Sequence, residues 1–232
     1  MEELIHNAQH AVIERRGLRK QSKKRLYIAE KSSNYIKVKY ALEYVIAFFT
    51  VLMMAPFLMA VGLLIKINSP GPVLFKQKRY GLSGNPFEVY KFRTMIDGAH
   101  ALQHKYSHLN EMEGGRLFKS DNDPRVTKFG KFLRKTSIDE LPQLLNILQG
   151  QMSIIGPRPI STPLEEYDEE DLVRFKVKPG LGCIWQAYFR KETDFKSWMK
   201  TDAIYVENIS LWLDIKLFFT ITINVFKGKG AR

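Results

Sequence analysis

VIAFFTVLMMAPFLMAVGLLI, residues 45–65, runs for 21 residues without a charged side chain. That is the length an α-helix needs to cross the hydrocarbon core of a bilayer. Pro56 stands at its middle, where it removes one helix hydrogen bond and crowds the preceding turn, so a kink or break is expected there. Both flanks are basic. Residues 1–40 carry ten Lys and Arg against four Glu, and Lys66, Lys76, Lys78 and Arg79 follow the run. Basic flanks favour the cytoplasmic side of a membrane, so both ends are drawn to the same face. The sequence therefore predicts a re-entrant membrane helix over 41–67, with Pro56 as the membrane break and two arms of about 15 Å each. A kinked spanning helix is the alternative. A signal peptide does not fit, because the apolar run and its basic leader are both too long. A soluble core helix seldom needs so long an uncharged run.

The remaining composition narrows the function classes. The chain has 232 residues, with 36 Lys and Arg against 24 Asp and Glu, a formal charge of +12. An apolar content of 45% excludes a wholly disordered chain. The single cysteine, Cys183, excludes an internal disulfide framework and a cysteine-rich zinc site. The charge surplus points to an anionic partner: nucleic acid, a phospholipid surface or a phosphorylated substrate. Four regions are expected: a basic leg over 1–40, the membrane helix over 41–67, a compact domain over 68–226 and a basic tail over 227–232. The fold class is α+β, a small and mostly helical domain with a short β-hairpin, anchored by the membrane helix and by interfacial amphipathic helices. Strands are expected at 73–79 and 87–95, joined by a Gly-rich loop. Helices are expected at 98–113, 129–133, 141–148, 165–178 and 204–226. No strand–helix series carries a G-x-G-x-x-G turn, so a dinucleotide-binding sheet is not expected.

Four constellations bear on chemistry. Ser137-x-x-Glu140, followed by Leu141, Leu144, Leu145 and Leu148, reads as a capping box that opens an amphipathic helix. Asp139 then falls in the first turn, where the helix dipole favours the ionised form that a nucleophile or metal ligand requires. Ordinary capping is the plainer alternative. Lys91, Arg93, Arg134 and Arg158 stand at breaks between elements, and Arg158 sits on a rigid Gly-Pro-x-Pro turn suited to a phosphate fork. Asp121-Asn122-Asp123 is a D-x-D pattern of the kind that binds a metal in nucleotide-sugar glycosyltransferases, or else a turn opener. His100, His104 and His108 form an i, i+4, i+8 row, for which a solvated helix face is the better reading than a metal site.

The sequence resembles the bacterial sugar transferases, the monotopic polyisoprenyl-phosphate hexose-1-phosphate transferases. The matching stretches include Tyr90-Lys-Phe-Arg-Thr-Met95, Asp123-Pro-Arg-Val-Thr-Lys-Phe-Gly130, Ser137-Ile-Asp-Glu-Leu-Pro142, Gly156-Pro-Arg-Pro159 and Val177-Lys-Pro-Gly180. They lie in the family's order over about four fifths of the chain. The resemblance implies a phosphotransferase that moves a sugar 1-phosphate from a UDP-sugar to undecaprenyl phosphate and releases UMP. Such enzymes start exopolysaccharide, capsule or glycoconjugate assembly at the cytoplasmic face of the bacterial inner membrane. It makes 68–226 the catalytic domain and agrees with a re-entrant, Pro-broken helix. By the same resemblance, Asp139 is the nucleophile and carries a covalent phospho-sugar. Glu140 is its partner acid at a Mg2+ site that includes Asp139. Lys91, Arg93, Arg134, Arg158 and Asp202 are phosphate- or substrate-binding.

The chain also departs from that family. The 1–40 leg is longer than in the smallest members, while the multi-span leader of the large members is not expected. The leg is read as a contact for anionic membrane lipids, with a partner-binding arm as the alternative. Leu181-Gly-Cys-Ile-Trp-Gln186 departs from the family's G-x-T-G-x-x-Q run, which leaves the donor sugar unassigned. Residues 211–226 contain Asp214 and Lys216 and read as interfacial. A homodimer is left open, and no nucleic-acid partner is expected, because no groove-reading motif is present. The competing functions are a metal-dependent glycosyltransferase that uses Asp121 and Asp123 and releases UDP, and a non-enzymatic membrane adaptor.

Overall fold

The computed structural model describes residues 30–99, 101–110, 120, 122–189 and 194–227. Most of the 1–40 leg, His100, Asp121 and residues 228–232 of the tail lie outside them. The first element, α1 (Asn34–Asn68), is capped by Ser33, whose side chain accepts the Ile36 N–H. Among the described residues it is a helix long and apolar enough to cross a membrane. The chain stays helical through Pro56, so the expected helix–break–helix does not occur as a loss of helical structure. Lys37 and Lys39, assigned above to the basic leg, belong to the same helix as the apolar run.

One stripe of α1 packs against the domain along most of its length. Ile36 joins Tyr205 and Leu217, Ala47 and Val51 join Val89, Ile147 and Met152, and Val61 and Ile65 join Phe92 and Leu133. The spacing of three to four residues is that of a single helix face. The opposite face exposes Leu52, Met53, Met59, Leu63 and Ile67. Both ends of the apolar segment are thus held by the same body. Exposed apolar surface on this scale marks a contact with membrane or protein.

The expected hairpin is present. β1 (Leu74–Tyr80) pairs antiparallel with β2 (Pro86–Phe92), with Phe75 opposite Lys91. Next come α2 (Lys128–Lys135), a 3-10 turn (Ile138–Gln143) and α3 (Leu144–Leu148). β3 (Ser153–Ile155) pairs parallel with β4 (Gly180–Gly182). α4 (Ile184–Tyr188), α5 (Phe195–Asn208) and α6 (Leu211–Phe226) complete the chain. Four local expectations need correction. Among its described residues, the expected 98–113 helix is a series of turns with a 3-10 segment at His104–Leu109 that kinks at Tyr106. The 165–178 helix is two 3-10 segments, Leu164–Glu166 and Glu169–Lys176. The 204–226 helix is two helices, because Ile209 and Ser210 leave helical geometry and Ser210 caps α6. The capping box does not form: Ser137 is left-handed at φ 58° and its side chain caps nothing.

A buried charge network ties α1 to α6. Lys39 Nζ lies 2.7 Å from Glu43 and 2.8 Å from Asp214. Ser153 Oγ donates to Glu43 at 2.6 Å, and the Tyr35 and Tyr205 hydroxyls donate to Asp214. Lys39 is therefore an internal ion and not a lipid contact. Lys31 also turns inward, donating from Nζ to the Val206 and Glu207 carbonyls near the C-terminus of α5, where a cation offsets the helix dipole. α6 buries Asp214 and Leu217 while Trp212, Phe219 and Phe226 stay exposed.

Removing one member of a buried ion cluster strands the others. Lys39→Met is expected to destabilise the protein by roughly 3–5 kcal/mol. Thermal unfolding in detergent checks this, and an unchanged melting temperature would contradict the role given to the network.

Candidate active site

The acid pair sits on the 3-10 turn between α2 and α3, and both carboxylates are buried. Three features hold the turn in place. Gly130 lets α2 press against the segment that follows β2, since a Cβ there would lie 2.0 Å from the Thr94 carbonyl oxygen. Arg134, on α2, donates from Nε to Thr94 Oγ1 at 3.0 Å. Asn146, on α3, docks onto the free edge of β2: its Oδ1 accepts the Tyr90 N–H and its Nδ2 donates to the Glu88 carbonyl. Lys91, between those strand positions and Thr94, is thereby brought beside the turn.

Glu140 gathers the cations. Lys91 Nζ donates to its Oε1 at 2.8 Å. Arg158 forks onto it, with Nη1 on Oε2 at 3.2 Å and Nη2 on Oε1. Burial pushes the Glu140 carboxyl upward, but Arg158 and Lys91 outweigh it and hold the group well below the usual carboxylate range. Asp139 behaves in the opposite way. Its Oδ1 is buried and takes no hydrogen bond among the described residues. Burial raises its proton affinity, the charge of Glu140 adds to that, and Lys91, Arg134 and Arg158 pull against it. The expectation that a helix dipole would keep Asp139 ionised is therefore corrected. A short 3-10 turn has little dipole, and desolvation dominates.

The turn from Ile155 to Ile160 carries Arg158 and is fixed from behind. Arg174 donates to the Arg158 carbonyl and to Tyr167 Oη, and its Nη2 lies 3.1 Å from Asp202. Arg79, on β1, lies within electrostatic reach of Arg158 and Glu140, and burial beside Arg158 lowers its pKa to about 10. The arrangement is one bound acid, one unpartnered acid and converging cations, a setting in which a phosphate is neutralised beside a carboxylate.

Residues 34–228 match the family described as bacterial sugar transferase. This chain belongs to the bacterial sugar transferase family. It is 41% identical over 205 residues to the UDP-glucose:undecaprenyl-phosphate glucose-1-phosphate transferase of Escherichia coli K12, covering 84% of this chain and 41% of that protein. It is 42% identical over 164 residues to the galactosyl transferase CpsE of Streptococcus agalactiae, covering 70% and 36%. It is 36% identical over 205 residues to an N-acetylgalactosaminephosphotransferase of Aeromonas hydrophila that is named for UDP-N-acetylgalactosamine and undecaprenyl phosphate, covering 85% and 46%. The chain thus spans less than half the length of each of these relatives. Their names carry three different sugars.

In this bacterial sugar transferase the structure sorts the candidate residues. Lys91, Arg158, Asp139 and Glu140 meet, and Arg134 stands beside them. Arg93 does not join them. Its guanidinium donates to the Ser69 and Pro70 carbonyls and to Ser69 Oγ, clamping the C-terminal end of α1. The structure thus gives Arg93 a structural contact at the end of α1. Asp202, expected at the substrate or metal, is buried against Arg174 and reaches the site through that residue. Burial raises its pKa to about 7. Asp123 is held on both oxygens by Arg125, which removes it from a D-x-D metal site. His104 and His108 are exposed on the 3-10 segment, not on one α-helical face. Among the described residues, no three His, Cys, Asp or Glu side chains cluster as a metal site.

Sequence reasoning missed Thr94, Asn146, Arg174 and Arg79 as parts of the site. Asn146 had a usable signal, as a polar residue in an otherwise apolar helical piece. The roles of Thr94 and Arg174 depend on contacts 16 to 40 residues away.

The two roles for Arg93 separate experimentally. Arg93→Lys loses the fork onto Ser69 and Pro70, so the melting temperature is expected to fall while the KM for donor stays within about twofold, since uniform binding is untouched. A large rise in KM with an unchanged melting temperature would restore the phosphate role.

Proposed function

We propose that this protein transfers a sugar 1-phosphate from a UDP-sugar to undecaprenyl phosphate by way of Asp139, releasing UMP. The observation that carries the reading is the pairing of a buried, unpartnered Asp139 oxygen with a Glu140 already neutralised by Lys91 and Arg158. In the first step Asp139 attacks the sugar-bearing phosphorus, a P–O bond to the uridine-side phosphate breaks, and UMP leaves. In the second, an oxygen of the lipid phosphate attacks the same phosphorus and the Asp139–P bond breaks, restoring the carboxylate. Splitting the transfer spares the site from holding both substrates at once. Arg158, Lys91 and Arg134 offset the charge that develops on the phosphoryl oxygens.

The residues fit a Mg2+ ion carried in with the diphosphate. Such an ion usually takes one or two carboxylates and fills its shell with phosphate oxygens and water, and Asp139 Oδ1 is an open buried donor, with Glu140 adjacent. When bound, the ion would add charge neutralisation at the diphosphate. The exposed apolar face of α1, held to the domain at both ends, supports a helix bound at the cytoplasmic face of the inner membrane. The glycan served belongs to the exopolysaccharide, capsule or glycoconjugate class. The metal-dependent glycosyltransferase alternative loses support from the capture of Asp123 by Arg125.

Nucleotide release tests the class. With Mg2+, undecaprenyl phosphate and a panel of UDP-sugars, UMP is the expected product for a matching donor, and Asp139→Asn is expected to abolish it. UDP as product, or UMP release indifferent to Asp139→Asn, would overturn the assignment. A pH profile provides a second check. Ionised Asp139 is the attacking form and its proton affinity is raised, so kcat/KM for donor should climb with pH through a pKa above the ordinary carboxylate range. A profile already flat at that range would contradict the buried-nucleophile reading.

A further inference from the structure

A groove of about 250 Å³ lies between α6 and the β3–β4 ribbon. Its walls are apolar: Ile154, Leu181, Phe218, Ile221, Val225 and Phe226. Thr136, Ser137 and Glu140 form a polar head, and Gln186 and Thr222 add further polar groups to the lining. Ser137 and Glu140 flank Asp139 in sequence, so the head abuts the acid pair. The other end is open, since Phe226 is 87% exposed on the apolar outer face of α6. The groove is narrow because Gly182 lets α6 approach closely: a Cβ there would lie 2.7 Å from Ile221 Cδ1.

Two polar atoms of the lining residues have no partner. Ser137 Oγ and Gln186 Oε1 are buried and take no hydrogen bond among the described residues, and Gln186 is 6% exposed overall. Cys183 caps α4 through Sγ on the Gln186 N–H, which fixes where Gln186 enters. Leaving buried polar groups unmatched is costly, so this end is built for a polar group that arrives with a ligand. The apolar trough behind it asks for hydrocarbon. A polar head on a buried apolar stem describes an isoprenoid phosphate.

We propose that the groove seats the phosphate-proximal isoprene units of the lipid acceptor. Ser137 Oγ donates to a phosphate oxygen of the head group, and the rest of the chain passes Phe226 into the bilayer. At about 30 Å³ per water-sized group the space holds about eight such groups, which is one to two isoprene units and not a whole chain. The groove therefore reads the start of the lipid and leaves its length to the membrane. The inference rests on the transferase reading above.

The test uses the full chain in nanodiscs with a two-isoprene phosphate that carries a diazirine on its second unit. Photolabel is expected within 218–226, and undecaprenyl phosphate should compete it away. Ile221→Trp fills the trough. It is expected to remove that label and to raise the KM for undecaprenyl phosphate by about tenfold or more. Donor-side exchange of labelled UMP into UDP-sugar should persist in that variant. Val225→Trp, farther from Gly182 along α6, repeats the measurement if Ile221→Trp fails to fold. Label confined to α1, label displaced equally by phosphatidylglycerol, or an unchanged KM in a folded variant would each overturn the proposal. Absence of UMP exchange in the unmodified protein would overturn the transferase reading instead, while the labelling pattern still decides the groove.

Discussion

The Glu140 carboxylate is the constraint on which the rest of the molecule depends. It is buried, and a buried carboxylate is tolerable only when it is paired and hydrogen-bonded. Its partners come from far apart in the chain: Lys91 from β2 and Arg158 from the turn after β3. Satisfying one acid therefore fixes the relative placement of the hairpin, the acid turn and the Arg158 turn. Arg174 and Asp202 extend the pairing into the core behind Arg158, so the hydrophobic cluster around Tyr167, Phe175 and Trp198 packs against a charge relay as well as against itself. The same constraint isolates Asp139, because the nearby cations are already engaged next door.

Much of this was legible in the sequence, and the reasons are local. The hairpin follows from two apolar strands and a Gly-rich connection. The long apolar helix α1 follows from an uncharged run. The acid pair and the cations around it follow from the family resemblance, which the comparisons uphold at the level of the family. What was misread has a common cause. Ser137-x-x-Glu140 has the letters of a capping box, but Ser137 is left-handed and Pro142 lies inside the turn, so the segment closes as a 3-10 turn that faces inward. Residues 165–178 have helical charge spacing, yet short 3-10 segments place Leu172 and Phe175 in the core equally well. Arg93 stands beside Lys91 in the sequence, and nothing in the letters says that one guanidinium turns to the end of α1 while the neighbouring amine turns to Glu140. Such choices are settled by partners that the sequence does not place.

The exposed apolar side obeys a different logic. α1 and α6 each bury charged residues on the inner face and expose hydrocarbon on the outer one, the reverse of a soluble helix. The outer faces of α1 and α6 together suit immersion, while the polar network of Lys39, Glu43, Asp214 and the two tyrosines is sealed between them. β3 braces this region, through Ser153 on Glu43 of α1 and the Ile155 carbonyl on Tyr205 of α5.

That sealed network also sets an order of events during synthesis. Lys39 and Asp214 are 175 residues apart, so on a ribosome that adds roughly 5–20 residues per second the cation waits on the order of 10–35 s for its second counter-ion. Throughout that interval the apolar run of α1 is already made, while two charges at its N-terminal end have only each other. The helix therefore completes its charge pairing only after α6 has been made.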